Sequence, residues 1–259
     1  VNSERIKIWC GLHDLESCSD DQIRQVVRLA EAYQVGIHMH CAETKMMVEK
    51  TLARTSKRPV FQLEALGVLG STTLLAHCVW VNAEERLLLA KTNTNVTHCP
   101  HANLKLGSGV APVPEMLASG VRVGLGTDGA KANNRLDMFD VMKFASLIHR
   151  GTHLDATLLP SENVFSMASR AGYQVLGWQG GTLEPGNLAD LIMVQLSSFH
   201  LQPATPDTIV ANLVYAARGS DVARVMVNGS VLVKNGRITS VDNEALLQQF
   251  SHLGQQLLN

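Results

Sequence analysis

Two histidines and a carboxylate stand close together in Ile37-His38-Met39-His40-Cys41-Ala42-Glu43. A further histidine follows in Ala76-His77-Cys78, and an aspartate in Gly126-Thr127-Asp128-Gly129. Imidazole nitrogen and carboxylate oxygen are ligands for Zn²⁺ or Fe²⁺, and a carboxylate outside the ligand set can move protons for an activated water. The set therefore suits metal-assisted hydrolysis. Each group closes an apolar, strand-like run: VGIHMH, TTLLAH and VRVGLGTD. Catalytic residues of (β/α)8 barrels sit at the C-terminal ends of strands, which is where these fall. No second His-x-His precedes His38.

The elements that must carry these residues alternate between short apolar runs and helical patterns, the mark of βα units and a parallel sheet. Ile6 to Leu12 reads as a strand. Ser19-Asp20-Asp21 caps a helix to Tyr33 with Ile23, Val26, Val27 and Ala30 on one face. Helices are predicted over 44–55 and 59–67, from Asn82, from Pro112 to Leu117, and over 136–149 and 161–176. Strands end at His40, His77, His98 and Gly126. Cys41, Cys78 and Cys99 each follow a histidine and are expected to face the helix layer as buried hydrophobes. From Gly177 the texture turns to turn-rich and alternating segments, with Asn228-Gly229 and Asn235-Gly236 as hairpin signals. The predicted organisation is a partial hydrolase barrel over 1–176, a C-terminal β-sandwich portion over 177–239, and a terminal helix over 240–259.

The spacing tests this order. Steps of 37, 21 and 30 positions separate His40, His77, His98 and Asp128. A barrel of ~250 residues allots roughly 31 to each βα unit, so each step is one unit. If Asp128 ends strand 8, His40 ends strand 5 and the first strand here is strand 4. Seven units do not fit between His40 and Asp128, so His40 does not end strand 1.

Composition narrows the class. The 259 residues are 46% hydrophobic and 17% charged, enough for a sizeable core. A formal net charge of −1 argues against a nucleic-acid surface, and no apolar run reaches the roughly 20 residues of a membrane span. Five cysteines without a C-x-x-C spacing point to free thiols and a cytoplasmic location. No signal peptide is visible.

The motifs HxHxxE, AHC, HCPHANLKLGSG, LGTDGAKANN and GTLEPGNLADL, in this order from Ile6 to Ile238, resemble the amidohydrolase superfamily, closest to its cytosolic deaminases and chlorohydrolases. The resemblance implies an α/β fold: a (β/α)8 TIM barrel, here roughly strands 4–8, with the C-terminal part of a composite β-sandwich. It implies one divalent metal per site, zinc or iron, with His40 and Asp128 as ligands and Glu43, His77 and Asp128 as catalytic groups. Glu43 is then the proton shuttle, and His77 orients the attacking hydroxide. The implied strand-1 His-x-His has no counterpart here, and roughly 95 further barrel residues are expected in the full gene product.

Other residues carry weaker expectations. Trp80, Asn103 and Lys105, with Glu43 and Asp128, are candidates for substrate contact; His38 is expected to pack in the interior, and Asn133 and Asn134 to shape the loop after Asp128. The implied reaction replaces an exocyclic amine of a purine or related N-heterocycle with oxygen. Alternatives are a triazine-type chlorohydrolase or N-alkylaminohydrolase of the same fold, or a catalytically incompetent binding module. A small-molecule substrate and, at full length, a homo-oligomer are expected. Two open barrel edges are expected to leave this piece alone poorly soluble.

Overall fold

The computed structural model describes residues 5–258. The chain opens with strand β1 (Cys10–Gly11), helix α1 (Asp20–Tyr33), β2 (Ile37–Cys41), α2 (Lys45–Thr55), α3 (Pro59–Ala65) and β3 (Thr73–His77). It continues through α4 (Ala83–Lys91), β4 (Asn95–His98), α5 (Pro100–Lys105), α6 (Val113–Ala118), β5 (Val123–Leu125), α7 (Ala130–Asn133) and α8 (Met138–His153). Strands β1 to β5 form one parallel sheet in sequence order. Only sequential parallel pairing with helical crossovers gives that order, which is the barrel connection the spacing predicts.

Capping fixes where the helices start. Ser19 Oγ accepts the Gln22 N–H while the Gln22 side chain accepts the Ser19 N–H, and α1 then buries Ile23, Val27 and Ala30. The same reciprocal box joins Asn82 and Glu85 at α4. Glu85 is fully buried, and its carboxylate also accepts Arg58 Nε at 2.8 Å and the Val60 N–H at 3.0 Å. A buried carboxylate so completely bonded pins α3 to α4. Met39, Leu75, Val96 and Val123 fill the core from successive strands, none more than 1% exposed. Each such side chain contributes about 1.5–3 kcal/mol by burial.

The structure departs from the sequence reading at several points. The first strand shortens to Cys10–Gly11, since it is an edge with one neighbour, although Leu12 still donates to His38 O. The helix predicted over 161–176 divides into α9 (Ser161–Ala168) and α10 (Arg170–Val175), broken where Ser169 leaves helical geometry (φ −123°, ψ −99°). Residues 100–105, to which the sequence reading assigns no helix, form helix α5, started by Pro100 at its first position. Cys99 does not face the helix layer. His98 does, against α8, so Cys99 falls on the cavity side with Thr97, and burial and then Asp128 push its thiol up to about 12.

Beyond α10 lie β6 (Leu191–Val194), α11 (Ile209–Tyr215), β7 (Val222–Val227), β8 (Ser230–Lys234), β9 (Arg237–Ile238) and α12 (Asn243–Leu258). Strands β6 to β9 form an antiparallel sheet. Both Asn-Gly pairs make its turns, with positive φ at Asn228, Gly229, Asn235 and Gly236 as a two-residue hairpin turn requires. Asp190 links this sheet to the rest. It accepts Arg5 Nη2 at 2.5 Å, Tyr173 Oη at 2.7 Å and the Asn228 N–H at 2.8 Å. Burial and the Asp190 bond push the Tyr173 phenol up to about 12. No helix of the described residues is long and apolar enough to cross a membrane, and all five cysteines are free.

A buried histidine pair makes the fold sensitive to acid. His98 and His149 meet Nε2 to Nε2 at 3.4 Å between β4 and α8. Burial, followed by the charge on His153, lowers His149 to about 4, and burial holds His98 well below the ordinary histidine value. Unfolding exposes both to a pKa of ~6.5, so the unfolded chain binds more protons below that pH. The pair's stabilising contribution is complete above about pH 6.5 and is lost as pH falls toward 4. Denaturant midpoints measured from pH 7.5 to 4 should therefore fall more steeply for the native chain than for His149→Gln; parallel profiles would remove the pair from the acid response.

Candidate active site

The parallel register brings the candidate residues to one rim. Cys41 is opposite His77 and His98 is opposite Leu125, so β2, β3, β4 and β5 finish at nearly one level. At that level the backbone turns sharply. Ala42, His77, Cys78 and Asp128 all have left-handed φ, between 46° and 73°. This costs of order 1–3 kcal/mol for a residue with a Cβ, and such strain clusters at functional sites. The twist swings the His77 and Asp128 side chains toward the inner side of the sheet. A cavity of about 470 Å³ there is lined by His38, His40, His77, Thr97, Cys99 and Asp128, with Gly172 and Tyr173 of α10 opposite.

The neutral His40 ring is held in one tautomer. Its Nδ1 lies 2.7 Å from the backbone oxygen of His13, which can only accept, so Nδ1 carries the proton and Nε2 presents its lone pair. This is how a metal-binding imidazole is prepared. The His40 and His77 rings stack with centroids 5.3 Å apart and planes 8° apart. His77 is buried, with Nδ1 2.8 Å from Asn103 Oδ1 and Nε2 3.9 Å from Glu43 Oε2. Glu43 Oε1 accepts the Ser108 hydroxyl at 3.1 Å. Asp128 Oδ1 accepts the Gly129 N–H at 2.5 Å.

His40, His77 and Asp128 thus share one cavity, and Glu43 adjoins it through His77. Trp80 stands apart, about 40% exposed, its indole N–H given to the Ser108 carbonyl at 2.7 Å. Asn103 is not in the pocket wall but buried behind His77. Lys105 donates to the Lys131 carbonyl at 2.8 Å and to Asn134 Oδ1, so its ammonium ties α5 to the segment after Asp128 instead of facing the cavity. Asn133 holds that segment by donating to Thr127 O at 2.8 Å. His38, expected to pack in the interior, is exposed on the cavity side, because no element of the described residues covers the sheet's inner face at β2.

His13 escaped the sequence reading. Its ring lies 4.8 Å from His40, its side chain is largely exposed, and its Nδ1 pairs with Asp14 Oδ2 at 2.6 Å. Burial raises the Asp14 carboxyl, but the bonds from Ser17, His13 and Glu16 outweigh it and hold the group below its ordinary value. The signal was present: His13 follows the Ile6–Leu12 run much as His40 closes VGIHMH.

The donor chemistry of His40 and Asp128 suits a zinc or iron ion, and their shared cavity puts both on one side of it. Among the described residues, however, no three histidine, cysteine, aspartate or glutamate groups are placed to hold a metal ion. Two donors are fewer than the three protein ligands that a catalytic zinc site uses.

Comparison with known proteins bears on the family and the fold. Residues 1–232 match the family model described as amidohydrolase family. The chain is 44% identical over 247 residues to a 5-methylthioadenosine/S-adenosylhomocysteine deaminase of Moorella thermoacetica, covering 95% of this chain and 57% of that protein. It is 38% identical over 253 residues to a 5'-deoxyadenosine deaminase of Methanopyrus kandleri, covering 97% and 58%. Its fold matches the crystal structure of an adenosine deaminase from Xanthomonas campestris with bound zinc at a TM-score of 0.94 and 28% identity, covering 98% of this chain and 58% of that one. A zinc-complexed atrazine chlorohydrolase from Arthrobacter aurescens matches at 0.86 and 27% identity, covering 94% and 54%. The chain thus spans a little over half the length of the proteins it matches.

One glycine decides whether Asp128 reaches the cavity. A Cβ on Gly126 would stand 2.7 Å from Thr97 Cγ2 and 3.0 Å from Cys99 Sγ, so β4 and β5 approach this closely only with hydrogen there. Gly126→Ala should cost about 1–3 kcal/mol by overpacking and shift Asp128 outward. Denaturation and a structure of the variant check this; an unchanged midpoint with Asp128 in place would show that the neighbours give way freely.

Proposed function

The chain belongs to the amidohydrolase family, and on that footing we propose that it carries the catalytic half of a metal-dependent aminohydrolase acting on an adenine nucleoside or related N-heterocycle. The observation that carries this reading is the convergence of His40, His77, Glu43 and Asp128 on one rim of the sheet. The purine nucleoside class is favoured by the deaminase names of the relatives that share 38–44% identity. The barrel portion in this reading is 1–176, and its strands are the fourth to eighth of the full ring.

His40 through Nε2 and Asp128 through its carboxylate would hold a divalent metal, zinc by analogy with the zinc-containing neighbours. When bound, such an ion activates water at neutral pH. Catalytic zinc sites use three protein ligands, so the whole protein must add donors to these two. Glu43 takes a proton from the water and delivers it to the ring nitrogen beside the amine-bearing carbon. Its Oε2 is the free oxygen, since Oε1 accepts from Ser108. His77 lies beside Glu43, where its Nε2 lone pair can accept an O–H of the attacking water and so orient that oxygen toward the carbon. Asp128 takes the remaining proton of the added oxygen and passes it to the amine, which leaves as ammonia as the C–N bond breaks and the C=O forms. His13, exposed beside His40, is placed to touch the substrate's remaining portion.

The triazine chlorohydrolase reading has one observation in its favour, the fold match to such an enzyme. Turnover of a panel of adenosine derivatives and chlorotriazines by the whole protein separates the two: ammonia from the nucleosides is expected, and a preference for chlorotriazine would overturn the assignment. Glu43→Gln in the same protein should lower kcat on the order of 10²–10⁴-fold with folding intact. Full activity in that variant would remove Glu43 from the proton path.

A further inference from the structure

Neither Asn103 nor Ser108 lines the cavity, yet Asn103 meets its His77 and Ser108 meets the adjoining Glu43. Asn103 Oδ1 lies 2.8 Å from His77 Nδ1, and Ser108 Oγ donates to Glu43 Oε1 at 3.1 Å. The two residues are themselves joined, since the Ser108 N–H donates to the Asn103 carbonyl at 2.7 Å. Ser108 also accepts the Trp80 indole N–H through its carbonyl. Asn103 is 1% exposed and Ser108 3%. Glycines on both sides of Ser108, with φ of 72° at Gly107 and 114° at Gly109, fold the chain back so that its hydroxyl meets Glu43.

We propose that Asn103 and Ser108 act as one positioning unit that fixes the tautomer of His77 and the orientation of Glu43 for the aminohydrolase reaction. The inference rests on the functional reading above but concerns groups behind the site. A carboxamide oxygen can only accept, so it places the proton on His77 Nδ1 and leaves Nε2 as a lone pair on the side facing Glu43. The Ser108 hydroxyl engages one Glu43 oxygen and leaves the other free, 3.9 Å from His77 Nε2. Because α5 and its following turn carry both anchors, the two side chains keep their relation to each other. The arrangement is not optimised for stability: Asn103 Nδ2 is buried without a partner among the described residues. An orphaned buried donor of this kind costs about 1–3 kcal/mol.

Two measurements test the unit. The first is two-bond ¹H–¹⁵N correlation on ¹⁵N-histidine-labelled chain at neutral pH. It should show His77 with the proton on Nδ1 in the native sequence and a shift toward the Nε2–H form in Asn103→Ala. A native Nε2–H tautomer, or an unchanged one in the variant, overturns the proposal. The native spectrum decides even if that variant fails to fold. The second is kinetics of the whole protein. Asn103→Ala and Ser108→Ala should each lower kcat on the order of 10²-fold with little change in KM, as misplacement of a reacting group does. Ser108→Thr should restore most of the rate, and the double variant should lose less than the product of the two single losses. Independent, multiplicative losses, or losses confined to KM, overturn it. Absence of aminohydrolase turnover in the native whole protein would instead refute the functional reading, while the tautomer result would stand on its own.

Discussion

The parallel register of the five-stranded sheet is the constraint on which everything else depends. The hydrogen bonds of neighbouring strands place Cys41 opposite His77 and His98 opposite Leu125, and with them the ends of four strands on one level. Side chains far apart in sequence meet because the ladders leave no freedom to slide: a one-residue slip would turn His40 from the cavity to the helix layer. The strained strand ends complete the alignment. His77 and Asp128 take left-handed backbone conformations that His and Asp adopt more readily than most residues with a Cβ.

Behind the rim, a supporting shell of polar contacts converts alignment into chemical form. The His13 carbonyl sets the tautomer of His40, Asn103 is bonded to His77, and Ser108 holds Glu43. Gly126 lets β4 and β5 close enough to present Asp128 beside Cys99. Further out, Glu85 joins α3 to α4, and its partner Arg58 reaches the Trp80 carbonyl at 2.6 Å. The part of the rim that the described residues build is therefore internally braced, even though no three metal-binding groups come together among them. Exposed apolar side chains on β6 and α12, among them Ile192, Met193, Phe250 and Leu257, show that bracing near the site does not extend to the C-terminal elements.

Much of this was legible in the amino-acid sequence. The alternation of apolar runs and helical patterns determined the βα order, the Ser19 and Asn82 boxes determined two helix starts, and the Asn-Gly pairs determined both hairpins. The spacing of His40, His77, His98 and Asp128 determined one unit per step, because a βα unit averages roughly 31 residues and no step is long enough for two. Only the tertiary structure decided which face each side chain takes and what stands behind it. Cys99 turned inward and His98 outward, Asn103 withdrew behind His77, Lys105 went to the Lys131 carbonyl, and His13 joined His40. The physical reason is range. Periodicity, caps and turns are set by neighbours along the chain, whereas these four placements depend on hydrogen bonds and close approaches between segments that register alone brings together.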